Sequence, residues 1–84
     1  MASCTWIEPR TLRLETAQGV HDIRVDQIVP RSPNHVLLVS CDDVIQAELL
    51  FGLNEILVQY KHAGYQCAPN DHVKAALLPH TTTL

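Results

Sequence analysis

His62, Cys67 and His72 recur at intervals of five residues, and imidazole with thiolate is a donor set that zinc accepts. Structural zinc sites usually bring ligands in close pairs about two to four residues apart. A fourth donor exists here only if His80 or Cys4 folds in. The spacing therefore argues for surface histidines and a buried cysteine, with no metal bound. A thiol nucleophile needs a depressed pKa in a shaped site. Cys41 has the best case, at the start of an expected helix whose dipole favours a thiolate, but Asp42 and Asp43 beside it oppose that effect. The reading is a small buried residue at a strand-to-helix junction. Asp42, Asp43, Glu48 and Glu55 could form paired carboxylates for acid–base or metal-assisted hydrolysis. On a helix, however, the two aspartates complement the dipole, while Glu48 and Glu55 share a solvated polar seam. The chain has three glycines and no Gly-rich phosphate loop, Walker A or nucleophile-elbow pattern. No catalytic residue, cofactor site or metal site is expected.

The elements that must position these groups start with an alternating run, Thr11 to Thr16, with Leu12 and Leu14 on one side and Arg13 and Glu15 on the other. Ile23 and Val25 alternate against Asp22, Arg24 and Asp26, and the intervening Ala17-Gln18-Gly19 suits an antiparallel hairpin. All four apolar residues should face the long helix, as part of the core. Pro30 and Pro33, with Ser32 and Asn34, read as a loop. Val36-Leu37-Leu38-Val39 is apolar on both faces, as a central strand covered on both sides would be.

Ser40, Asp42 and Asp43 look like the start of a helix running from 40 to about 62, with Lys61, His62 and Gly64 marking its end. At helical spacing Ile45, Leu49, Leu50, Leu53, Ile56, Leu57 and Tyr60 form one broad stripe that would cover the sheet. Val44, Ala47, Phe51 and Val58 form a second, divided from the first by Glu48, Glu55 and Gln59 on one side and by Asn54 and Lys61 on the other. Beyond it, Tyr65-Gln66-Cys67 reads as a short strand, Pro69-Asn70-Asp71 as a turn, and 72–78 as either a helix or a strand, the helix preferred, with Asn70 or Asp71 as its cap. Residues 79–84 are expected to fray. Thr82-Thr83-Leu84 resembles a carboxylate-terminal ligand for strand-addition domains, a match that so short a tail makes by chance. The fold class this predicts is α+β: an antiparallel three- to four-stranded sheet with one long helix packed on one face and a short C-terminal element.

Eighty-four residues suit a single domain, 1–84, of limited core size, for which a partner subunit would be a natural supplement. A hydrophobic fraction of 46% argues against disorder, and a charged fraction of 18% leaves apolar side chains at the surface. The net charge of −3 disfavours a nucleic-acid partner. No secretory leader and no apolar run of about 20 residues is found, so no membrane partner is expected. Three cysteines at unrelated spacings fit a reducing compartment, and the expected localisation is cytoplasmic. Small domains of this kind are common among phage and mobile-element proteins, an association that no particular residue here carries. By elimination, the expected function is protein–protein interaction, as an accessory, adaptor or inhibitor with no catalytic chemistry of its own. It would act as a homodimer or on a larger partner, through Val44, Ala47, Phe51 and Val58 as the interface. The alternative is a small enzyme or small-ligand module with its site between helix and sheet or at a dimer interface.

Overall fold

The structure, a computed structural model, describes residues 2–81. Eight strands follow one another: β1 Ser3–Ile7, β2 Thr11–Thr16, β3 Gly19–Arg24, β4 Gln27–Ser32, β5 His35–Val39, β6 Ile45–Phe51, β7 Ile56–Tyr60 and β8 Ala63–Cys67. They form an antiparallel three-stranded sheet, β1-β2-β3, and an antiparallel five-stranded sheet, β4-β5-β6-β7-β8, each a simple meander. A short helix, α1 Asp71–Leu77, and a 3₁₀ turn, Leu78–Thr81, complete the chain.

The fold is therefore mostly β, and the expected helix over 40–62 with one sheet beneath it is corrected to two strands, β6 and β7, in the second of two sheets. Three local features account for this. Residues 40–44 form a tight turn, not a helix cap: the Asp43 N–H reaches the Ser40 carbonyl at 3.0 Å, the Ser40 N–H the Val44 carbonyl at 2.8 Å, and Asp43 sits at φ 62. The Ser40 hydroxyl accepts from the Val44 N–H at 3.3 Å, so the residue read as an N-cap serves a hairpin. The chain turns again after Phe51, where Gly52 N–H donates to the Glu55 carbonyl at 2.9 Å. Lys61 and His62, with φ 49 and 64, then make the left-handed two-residue turn that matches strand twist.

Alternation then sorts one side of each sheet inward. Cys4 and Trp6 of β1, Leu12 and Leu14 of β2, and Ile23 of β3 with Val25 just after it are buried. So are Val36, Leu38, Ala47, Leu49, Phe51, Ile56, Val58 and Cys67 of the second sheet. Each large aliphatic side chain in this core contributes about 1.5–3 kcal/mol by removal from water. The hairpin of β2 and β3 buries Leu12, Leu14, Ile23 and Val25 in the core, but against the second sheet and not the expected long helix, with Gly19 at φ 135 where it turns into β3. β5 is buried along Val36, Leu37, Leu38 and Val39, again as expected. Pro30 lies within β4, an edge strand that tolerates a missing donor, and the turn follows at Pro33-Asn34.

The two sheets are stitched at two seams. At the first, Val25 N–H donates to the Arg10 carbonyl at 2.7 Å and the next residue, Asp26, donates to the Val39 carbonyl at 2.9 Å, so adjacent residues bond to different sheets. At the second, Ala2 pairs with Cys67 in a parallel bridge between the start of β1 and the end of β8. The terminal helix crosses between the layers, α1 lying on β1 and the 3₁₀ turn on β4 and β5. Asn70 caps α1 by accepting from the N–H groups of His72 and Val73 at 2.9 and 3.1 Å. Its amide nitrogen donates to the Cys4 carbonyl at 2.9 Å, while Val73 and Leu77 enter the core. Residues 79–81 belong to the 3₁₀ turn with Thr81 buried, which corrects the frayed tail there; Thr82, Thr83 and Leu84 lie outside the described residues.

Candidate functional site

The residues singled out for chemistry are dispersed. His62 is exposed in the β7–β8 turn, Cys67 is buried at the far end of β8, and His72 is exposed on the first turn of α1. Among the described residues no group of three or more His, Cys, Asp or Glu side chains could hold a metal ion. Cys41 is exposed in the β5–β6 turn, away from any helix end, and its backbone N–H donates to the Asp26 carboxylate at 3.0 Å. Asp42 and Asp43 are exposed in the same turn. Glu48 pairs with the His35 ring at 3.0 Å, and Glu55 accepts from the Gln66 amide at 2.8 Å.

The four residues expected at an interface separate as well. Val44 is 53% exposed in the turn before β6, whereas Ala47, Phe51 and Val58 point into the core and are 2%, 6% and 0% exposed. The helix face that was to carry them together does not exist, because strand alternation sends three inward and the turn holds the fourth outside.

Two polar clusters have structural roles. The Asp26 carboxylate, at the corner between the sheets, receives the Cys41 N–H and is flanked by Arg24 at 3.5 Å and Arg10 at 3.6 Å. On the outside of the first sheet Arg13 grips Asp22 through two bonds, 2.8 and 3.1 Å, across β2 and β3. The guanidinium holds the Asp22 carboxyl below its usual range, and the carboxylate raises Arg13 in turn.

The surface that stands out is the outer face of the five-stranded sheet. Register aligns Val29, Leu37, Glu48, Gln59 and Gly64 in one cross-strand row and His35, Leu50, Leu57 and Gln66 in the next. Leu37 and Val39 are buried there, outside the main core, while Ile45, Leu50 and Leu57 are 50%, 39% and 37% exposed. Leu53, at the tip of the β6–β7 turn, is 95% exposed. Along β7 the face runs from Glu55 at one end to Lys61 and His62 at the other, beside Glu48 and Gln59. A different depression, a groove of about 640 Å³ lined by Ala2, Ser3, residues 15–18, Gly64, Tyr65 and Gln66, contains Glu15 and Tyr65 as its titratable groups.

Sequence reasoning missed the outer face, although the signal was present. Read with a period of two, the segment 45–60 gives Ala47, Leu49, Phe51, Ile56 and Val58 on one side and Leu50 and Leu57 on the other. Among the described residues no helix is long and apolar enough to cross a membrane. No protein-family model matches the chain, and no curated protein and no solved structure is significantly similar to it.

Proposed function

We propose that this protein is a small β-sandwich interaction module that binds a second copy of itself through the outer face of the five-stranded sheet, with no catalytic chemistry of its own. The observation that carries the reading is the pair of partly exposed leucines Leu50 and Leu57, side by side in register on that face, which sheds water only if another surface covers it. Charge favours a second copy as the cover. A twofold axis lying across the strands sets the Glu55 end of each β7 over the Lys61 end of its partner, a closed, self-complementary arrangement. A chain of 84 residues also gains stability from such burial.

Light scattering tests this on three proteins. The wild type should be a dimer at high concentration. Leu57→Asp, at a position 37% exposed, should be a folded monomer. Thr5→Asp, on the exposed face of the other sheet, should dimerise as the wild type does. A wild type that stays monomeric overturns the proposal, and a Leu57→Asp dimer moves the interface elsewhere.

A further inference from the structure

We propose that Cys4 and Cys67 are a dithiol modification site that closes reversibly to a disulfide, stapling β1 to β8, when the protein meets a small-molecule disulfide. The two residues come from opposite ends of the chain and meet at the second seam. Cys67 is the bridge partner of Ala2, and Cys4, two residues further along β1, turns its side chain to the same inner face. The thiols are 2% and 0% exposed and share one core cluster. The two influence each other: the neighbouring Cys4 lowers Cys67, while Cys67 and burial raise Cys4 far above the ordinary thiol range. Of the two, Cys67 is the thiol favoured to lose its proton first.

That asymmetry sets the order of events. The Cys67 thiolate attacks one sulfur of the small disulfide, forming a mixed disulfide and releasing the first small thiol. The Cys4 thiolate then attacks the Cys67 sulfur, forming the Cys4–Cys67 bond and releasing the second. Two electrons pass from the cysteine pair to the small disulfide, and the two cysteine protons end on the two small thiols. Access comes from local opening at the seam, where the start of β1 is held to β8 by the Ala2–Cys67 bridge. Cys41, exposed in the β5–β6 turn, takes no part.

The test uses the full chain carrying Cys41→Ser, incubated folded with excess oxidised glutathione. Intact mass, alkylation after unfolding, a peptide map and thermal melting are the readouts. The expected product has lost two hydrogens, has no alkylatable thiol and yields a peptide joining Cys4 to Cys67. It should melt about 10 °C or more higher, a gain that reductant reverses. In the added variant Cys4→Ala the reaction should stop as a mixed disulfide on Cys67. If that variant does not fold, the parent experiment decides alone. Two thiols that remain alkylatable, persistent mixed disulfides on the parent, or a bond that forms only in denaturant each overturn the proposal.

Discussion

On the outer face of the three-stranded sheet the cross-strand rows read Thr5, Arg13, Asp22 and Ser3, Glu15, Val20. Across the five-stranded sheet they read Val29, Leu37, Glu48, Gln59 and His35, Leu50, Leu57, Gln66. Both sheets pack one face into the same core, so the difference lies outside it. The first sheet has the alternation of an antiparallel sheet that meets water on one side. The second places apolar residues on both sides of β5, β6 and β7, and a strand of that kind loses its period of two. The same outward leucines that mark a contact surface therefore also hide the strands from a reading by periodicity.

The largest expected effect sharpens the contrast between the two sides of β6. Phe51→Asp places a carboxylate in the core, at a side chain now 6% exposed, and should abolish folding, visible as loss of the cooperative melt in circular dichroism. Leu50→Asp, one residue away on the outer face, should melt cooperatively. A Phe51→Asp protein that folds and merely dissociates would return Phe51 to an interface. Next in size, Leu14→Ala removes a fully buried side chain from the first sheet and should cost about 2–5 kcal/mol in chemical denaturation. A loss below about 1 kcal/mol would show that the smaller sheet is a loose flap and not an equal wall of the core.

The smallest effect belongs to the polar face. Because Arg13 holds Asp22 below the ordinary carboxylate value of 3.8, the contribution of this pair is fully present above that value. It is lost as pH falls through the lowered one. In Arg13→Ala the Asp22 titration followed by NMR should move back up toward the ordinary value. The stability difference from wild type should be slight and should shrink in high salt, since both side chains are solvated. A large, salt-independent loss would mean that this face, too, is covered.

Much of the polar-faced half was legible from residues alone. Leu12, Leu14, Ile23 and Val25 alternate with charged neighbours, and Gly19 marks the turn between them. Asn70 identifies the start of α1, because a side-chain acceptor there meets two otherwise orphan N–H groups wherever the helix is docked. β1 was missed, although Cys4 and Trp6 alternate with Ser3 and Thr5. The segment 40–62 went wrong because Ser40, Asp42, Asp43, Lys61, His62 and Gly64 serve hairpin turns as well as they serve helix ends. The need for a second apolar stripe on the supposed helix was the trace of a wrong period. Ala47, Phe51 and Val58 share a wall with Leu49 and Ile56, which helical spacing had assigned to the other stripe.

What the sequence determined by itself is local: which residues alternate, where a glycine must turn the chain, and which side chain caps the last helix. These depend on dihedral preference and on hydrogen bonds a few residues long. Tertiary structure alone decided that 45–60 would be two strands, since a strand leaves its backbone groups unsatisfied until neighbours such as β5 and β8 supply partners. It also decided that Leu50 and Leu57 would share an outer face, and that Cys4 and Cys67 would meet in the core. Such adjacency is set by the order in which strands pair, and residues far apart in the chain carry no mark of it.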